Sequence, residues 1–340
     1  MRAVVCRRRG RPGVLEVVEV EKPAVPDDAV LVRVHAASLN PVDFFALSSA
    51  NAAARTLARR RGPEVLGTDF AGAVEAVGRA VTEFNPGDEV FGAKRGAFAE
   101  YVCVSQRDAL VRKPAGVTFE QAAGVPVAAL TALQALRDHG RIQPGQRVLV
   151  NGASGGVGTF AVQLAGVLGG EATAVCSQRN TDLARSLGAA AVIDYAQEDF
   201  TCSGQRYDLM LDIAGSRSWR ACRRVLAPRA TLVAVGGSTH TVWGGLRTLK
   251  HLAGMRVASI GSDRKAVLFI TKLNKPDLLV LRELLETGRI ATVIDRRFAL
   301  DEVVAAFRYM GEGHARGKIA IDVSGSGEAA SSQEAAKMRR

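Results

Sequence analysis

The chain has 340 residues, 47% of them hydrophobic and 23% charged, so it is long enough to bury the cores of two domains and has the balance of a soluble globular enzyme. No apolar run spans a membrane, no signal-peptide apolar region follows Met1, and five cysteines without CxxC spacing exclude a disulfide framework or zinc ribbon; a reduced, cytoplasmic protein is expected. The net charge of +11 sits in short, widely separated clusters (Arg7-Arg8-Arg9, Arg59-Arg60-Arg61, Arg339-Arg340), and 5% aromatic residues leave little for base stacking, so the excess reads as solvated surface that attracts a polyanionic cofactor rather than as a nucleic-acid site.

The first third reads as β-rich. Val30–Ala36 alternates as a strand, and Asp69–Gly78 is another, rich in small residues. Asn85-Pro86-Gly87-Asp88 is a tight turn into Glu89–Gly92, and Gly96–Val104 follows as a further strand with Tyr101 read as core. From Thr118 the apolar period becomes helical. Between Gln146 and about Arg289, strands and helices alternate. Val148–Val150, Ala172–Cys176, Ala191–Ile193, Leu209–Asp212, Thr231–Val235 and Val257–Ile260 are the candidate parallel strands. The helices between them are Val157–Leu168, Asp182–Leu187, Trp219–Leu226 and a stretch near Leu246–Leu252. This pattern describes an α/β fold with a doubly wound parallel sheet. Pro276–Thr287 is an amphipathic helix with Leu278, Leu281, Leu284 and Leu285 on one stripe. A return to β character (Thr292–Phe298), a helix (Asp301–Met310) and a last strand (Lys318–Val323) precede a polar tail, 324–340, expected to be disordered.

The stretch Val148-Leu149-Val150-Asn151-Gly152-Ala153-Ser154-Gly155-Gly156-Val157-Gly158 carries the most chemistry. Ala153-x-Gly155-x-x-Gly158 fits the dinucleotide-binding fingerprint with alanine in the first glycine place, after a strand and before a helix. Backbone N–H groups of Ser154, Gly155, Gly156 and Val157 would meet a pyrophosphate at the positive end of the helix. About 20 residues on, where an NAD site places an acid for the ribose 2′-OH, the chain has Cys176-Ser177-Gln178-Arg179-Asn180. Ser177 and Arg179 suit a 2′-phosphate, so NADPH is favoured over NADH; Arg179 also has the plain reading of a solvated arginine at a helix start.

These elements, with Ser38-Leu39-Asn40-Pro41-Val42-Asp43, Gly67-Thr68-Asp69-Phe70-Ala71-Gly72, Pro86-Gly87-Asp88-Glu89-Val90, Ala128–Ala132 and Gly317-Lys318-Ile319-Ala320, resemble the medium-chain dehydrogenase/reductase superfamily over nearly the whole chain. Within it they look like the zinc-independent quinone oxidoreductase (zeta-crystallin-like) branch. The resemblance implies a GroES-like catalytic domain over 1–122, a Rossmann NADPH-binding domain over 123–289, and a return to the first domain over 290–323. Zinc alcohol dehydrogenases carry a catalytic Cys where this chain has Asn40–Asp43, and His-Glu where it has Thr68-Asp69, so no metal is expected.

The resemblance further implies a reductase that passes hydride from NADPH to a small-molecule acceptor, a quinone or an α,β-unsaturated carbonyl compound. An enoyl-thioester reductase, a pathway tailoring reductase and a non-catalytic NADPH-binding redox-sensing protein remain alternatives. Asn40 becomes the candidate catalytic amide donor, with Asp43 positioning its loop; locally, Asn before Pro makes a turn and Asp43 caps a helix starting at Phe44. Tyr195 matches the tyrosine that relatives stack near the adenosine phosphate. Thr131, Gly236 and Lys318 are further cofactor-side candidates, each with an ordinary structural explanation as well. A homodimer joined through the edge strand Val257–Ile260 is the family expectation.

Overall fold

The computed structural model describes residues 1–6, 14–48, 64–235 and 254–325. Gly236, most of the Ser48–Arg61 segment, the stretch near Leu246–Leu252 and nearly all of the tail lie outside the described residues. No helix among the described residues is long and apolar enough to cross a membrane.

The N-terminal region builds two sheets. The small one orders β2 (Leu15–Glu19), β1 (Arg2–Cys6) and β4 (Glu64–Val65). The larger has β3 (Ala29–Leu39), β5 (Asp69–Val77), β6 (Glu89–Ala93) and β8 (Leu110–Arg112) in antiparallel sequence, with β7 (Tyr101–Ser105) also paired to β3. Alternation along these strands buries Val30, Val32 and Val34 from β3 against Phe70, Val74, Val90 and Phe98. Tyr101 is half-buried rather than core, and the Lys22 ammonium lies 3.9 Å from its ring centroid.

The chain then forms the central six strands: β9 (Arg147–Asn151), β10 (Glu171–Cys176), β11 (Ala191–Asp194), β12 (Tyr207–Asp212), β13 (Leu226–Ala234) and β14 (Lys265–Leu268). All are parallel, in the order β11-β10-β9-β12-β13-β14. That is the doubly wound order in which the strand sequence reverses between the first and fourth strands, β9 and β12, opening a crevice at their carboxyl ends. Burial on both faces explains the continuous apolar runs Val148-Leu149-Val150 and Leu209-Met210-Leu211.

Three elements differ from the sequence expectation. The strand expected over Gly96–Val104 begins only at Tyr101, because Gly96, at φ 96°, turns the chain before it. Val257–Ile260 is not a strand: residues 254–258 are helical and 259–260 turn. Met255 and Ser259, four apart, are buried while Val257 and Ile260 face out, which is helical rather than alternating burial. The sixth strand is Lys265–Leu268 instead. The expected helix Trp219–Leu226 is shorter, a turn over Trp219–Cys222 and a 3₁₀ turn over Arg223–Val225, because Leu226 already begins β13.

The last elements leave this domain. β15 (Ile294–Ala299) and β16 (Lys318–Asp322) pair with one another, and β16 lies antiparallel to β3, so the larger N-terminal sheet is completed from the end of the chain. Helices Phe119–Ala123, Pro126–Gln134 and Lys275–Glu286 lie at the junction, where Ala36, Ala71 and Phe91 share one core with Leu133, Val150 and Leu281.

Candidate active site

The glycine-rich turn sits at the carboxyl end of β9. Asn151 closes that strand and its Nδ2 donates to Asp212 Oδ1 at 2.7 Å at the end of β12, tying together the two strands that flank the crevice. The following helix, Gly156–Val167, has Gly155 as N-cap in an extended conformation with no side-chain cap. Its first-turn N–H groups are therefore free to face an anion, at a helix end worth roughly half a positive charge. Ser154, Gly155, Gly156 and Val157 form one contiguous, half-exposed rim. Gly158 behind them is buried, and a Cβ there would stand 2.1 Å from the Gly152 carbonyl oxygen, so the helix packs on the turn as the fingerprint requires.

Around this rim the other cofactor candidates fall in three places. Ser177 follows β10, where its hydroxyl accepts from Asn180 Nδ2 at 3.1 Å. Exposed Arg179 donates to the His314 carbonyl at 3.0 Å, and Arg316 donates to the Arg179 carbonyl at 3.3 Å. Tyr195 is exposed and its N–H donates to the Cys176 carbonyl, so Ser177, Arg179 and Tyr195 share the carboxyl edge of β10 and β11. Thr131 is buried away from them, its hydroxyl donating to the Val127 carbonyl at 2.6 Å and meeting Thr271 Oγ1 at 2.7 Å. Lys318 turns the other way, into the N-terminal sheet.

There it joins a buried polar network. Lys318 Nζ donates to Asn40 Oδ1 at 2.6 Å and lies 3.7 Å from Asp69 Oδ2. Asn40 Nδ2 donates to Asp69 Oδ2 at 2.9 Å and to the Ser38 carbonyl at 3.2 Å. Both amide hydrogens of Asn40 are thus engaged within the protein, and its side chain orients neighbours rather than facing an acceptor. The Asn40 backbone N–H donates to Asp43 Oδ2 at 2.8 Å, and Thr68 Oγ1 donates to Asp43 Oδ1 at 3.2 Å. The capping role expected of Asp43 exists, but the helix begins at Pro41 and Asp43 sits in its first turn, reaching back to the residue before it. The Val127 N–H completes the set by donating to Asp69 Oδ1 at 3.1 Å.

All five side chains are buried, and Thr68 is the most exposed of them at 9%. Burial pushes the Asp43 carboxyl up to about 7, against the lowering effect of the Asn40 N–H. Burial likewise lifts Asp69 to about 6, outweighing the nearby Lys318 ammonium, and lowers Lys318 itself. The network therefore holds a proton that can move near neutral pH. It touches the nucleotide fold directly, since Gly155 and Gly317 form a parallel bridge and a Cβ at Gly156 would lie 3.0 Å from Lys318 Cδ. Sequence reasoning placed Asn40 and Asp43 together but missed Asp69 and the inward aim of Lys318. The available signal was Thr68-Asp69 standing where zinc enzymes carry His-Glu.

Residues 26–115 match the alcohol dehydrogenase GroES-like domain, and residues 187–321 match a zinc-binding dehydrogenase family. The chain is 35% identical over 331 residues to the mitochondrial NAD(P)H oxidoreductase RTN4IP1 of Mus musculus, covering 86% of this chain and 81% of that one. It is 32% identical over 323 residues to the chloroplastic quinone-oxidoreductase QR1 of Triphysaria versicolor, covering 91% and 94%. Among solved structures, the quinone oxidoreductase from Coxiella burnetii superposes with a TM-score of 0.83 at 32% identity, over 95% of this chain and 99% of that one.

Proposed function

Because the chain belongs to the medium-chain dehydrogenase/reductase superfamily, in its quinone oxidoreductase branch, we propose that it is an NADPH-dependent, zinc-independent reductase of quinones or α,β-unsaturated carbonyl compounds. The observation that carries this reading is the uncapped helix start at Gly155–Gly156, bridged through Gly317 to the buried network of Asn40, Asp43, Thr68, Asp69 and Lys318. It sets a phosphate cradle beside a proton reserve across one domain boundary.

NADPH, when bound, supplies the hydride. The N–H groups of Ser154, Gly156 and Val157 would hold its pyrophosphate, that of Gly155 being turned to the Gly152 carbonyl, and Ser177 and Arg179 its 2′-phosphate, with Tyr195 beside the adenosine. The protein's own part in the chemistry is placement and protonation. When protonated, Asp43 would donate to Thr68 Oγ1 instead of accepting from it; the Thr68 hydroxyl, the least buried member of the network, would then turn its own hydrogen toward the oxygen that gains charge on reduction and be reprotonated by Asp43. Asn40 and Lys318 fix Asp69 and keep the loop at 38–43 in place.

The zinc named in the family description finds no matching donor set. Among the described residues no three His, Cys, Asp or Glu side chains converge as metal ligands, and the carboxylate of Asp69 already faces the Lys318 ammonium, which repels a second cation. No step passes through a metal. Five free cysteines suit a reducing compartment such as the cytoplasm.

NADPH oxidation in the presence of a simple 1,4-quinone and a small enone, run beside NADH, tests the assignment. Turnover favouring NADPH is expected, with a rate that falls as pH rises through about 7 and Asp43 loses its proton. Arg179→Ala is expected to weaken NADPH binding by about 1.5–3 kcal/mol, the range for a hydrogen bond to a charged group, and to leave NADH unchanged. Equal losses for both cofactors would remove Arg179 from the 2′-phosphate, and turnover of enoyl thioesters alone would change the acceptor class.

The reading extends to a homodimer through β14, the outermost strand of the six among the described residues, which pairs there with β13 on one side only. Its open ladder suits antiparallel pairing with the same strand of a second copy. Light scattering during gel filtration is expected to give twice the chain mass of 35.9 kDa; a single-chain mass overturns the assignment.

A further inference from the structure

Five arginines, Arg206, Arg220, Arg223, Arg224 and Arg264, line a cleft of about 390 Å³ in the six-stranded domain. They come from four separate places in the chain. Arg206 precedes β12, Arg220 lies on the helical turn Trp219–Cys222, Arg223 and Arg224 lie on the 3₁₀ turn before β13, and Arg264 precedes β14. The cleft is therefore at the amino-terminal edge of the parallel sheet, at the opposite end of the strands from the glycine-rich turn.

Little inside the protein balances this charge. Arg264 pairs with Asp263 at 2.8 Å and donates to the Leu226 carbonyl at 3.0 Å, which fixes it in the wall. Arg206 donates to the Gln205 carbonyl at 3.2 Å, and Arg224 reaches only Cys202 Sγ, at 3.7 Å. Arg220 and Arg223 have no hydrogen-bond or ion-pair partner among the described residues. Among the described residues the five arginines have one carboxylate partner, Asp263, and four of them are exposed, so an anion bound in the cleft would relieve their mutual repulsion. Each presents a planar fork of N–H donors that matches phosphate oxygens two at a time.

We infer that this cleft is a second anion site, separate from the cofactor crevice, that takes a compact ligand bearing two or three linked phosphoryl groups. Its volume lies at the lower end of small-molecule sites. A nucleic acid is the poorer fit, since among the described residues the lining has no aromatic side chain for a base to stack on and the arginines gather round one open cleft rather than follow a stripe. The same phosphate chemistry is offered by an inorganic polyphosphate and by the phosphate tail of a nucleotide.

Calorimetric titration of the full chain with inorganic tripolyphosphate, at roughly 0.15 M salt where exposed charges are screened beyond about 8 Å, tests the site. It is run with and without saturating NADPH. One ligand per chain is expected in both cases, and Arg220→Ala with Arg223→Ala is expected to weaken it by at least about 30-fold, the loss of two charge-assisted contacts. NADPH affinity should be unchanged in that double variant, which separates this site from the cofactor crevice whether or not the protein reduces quinones. ATP in place of tripolyphosphate identifies the source: tighter binding marks a nucleotide, equal binding the phosphate chain alone. Absence of saturable binding, or binding that the double substitution leaves intact, overturns the inference. So does a short single-stranded RNA that needs the same two arginines and is not displaced by tripolyphosphate.

Discussion

Lys318→Met is expected to cost about 3 kcal/mol of stability near pH 8, the lower end for removing one partner of a buried ion pair, and to cost markedly less at pH 5. The substitution keeps the length and apolar stem of the side chain and deletes only the ammonium. Two buried groups are then left uncompensated, the Asn40 Oδ1 acceptor and the Asp69 carboxylate. The first loss is the same at every pH. The second depends on the charge of Asp69. Its folded pKa, about 6, already lies above the ordinary carboxylate value, so its contribution to stability is complete below that ordinary value and is lost as pH rises through about 6. Lys318 is what holds that pKa down, and without it Asp69 stays protonated to higher pH at about 1.4 kcal/mol for each pH unit. The difference between wild type and variant therefore widens from pH 6 to pH 8. Denaturant unfolding followed by tryptophan fluorescence at the two pH values measures it. A penalty independent of pH would show that the ammonium does not compensate Asp69. Quinone reduction should fall at the same time by at least about 100-fold, a loss of some 2.7 kcal/mol in the transition state, because Asn40 and its loop lose their anchor.

The second large effect separates two glycines three residues apart. Gly158→Ala places a methyl group 2.1 Å from the Gly152 carbonyl oxygen and 2.7 Å from the Ala153 backbone, contacts that only a displacement of the turn can relieve. A loss of about 4 kcal/mol is expected, read as a fall in melting temperature of roughly 6 °C for a chain of 340 residues, together with loss of NADPH binding. Gly155→Ala is the informative partner. Its Cβ meets only the Gly152 oxygen, at an ordinary 3.7 Å, and its backbone is extended. Stability should change by less than about 1 kcal/mol, the scale of an N-cap exchange. NADPH affinity should nevertheless drop at least about 10-fold, or 1.4 kcal/mol, because the new methyl stands over the uncapped N–H groups. Unchanged affinity in the Gly155 variant would take this turn away from the cofactor's phosphates.

These two sites differ in how plainly the sequence displayed them. The turn is a local object: strand, glycines and helix lie within about twenty consecutive residues, and Gly158 is demanded by Gly152 and Ala153 a few positions before it. The network around Asp69 is the opposite case. Asn40 lies 29 residues from Asp69 and 278 from Lys318, and no periodicity links a lysine near the end of the chain to an aspartate in its first quarter. Only the strand pairing of Ile319 with Leu39 brings them together. Val257–Ile260 misled for a different reason. Four small and β-branched residues suit either a strand or a short helix, and burial of Met255 and Ser259 decided between them. The arginines of the cleft read as ordinary solvated charge because each stands in a different segment; convergence is a property of the sheet edge, invisible in any window of the chain.

The pairing of β16 with β3 also orders events in time. A ribosome releases the chain from its amino end, so β3, β5 and β6 emerge long before the strand that completes their sheet. Until residue 318 is free, Asp69 and Asn40 have no ammonium between them, and the loop from Ser38 to Asp43 has no strand along its flank. The six-stranded domain, whose contacts are nearer in sequence, is able to consolidate first. The buried polar centre is thus among the last parts of this sheet to form. A product ending before β16 would keep the six parallel strands yet lack both the ammonium at Asp69 and the strand along the Ser38–Asp43 loop, so the time at which residue 318 is made sets when that centre can close.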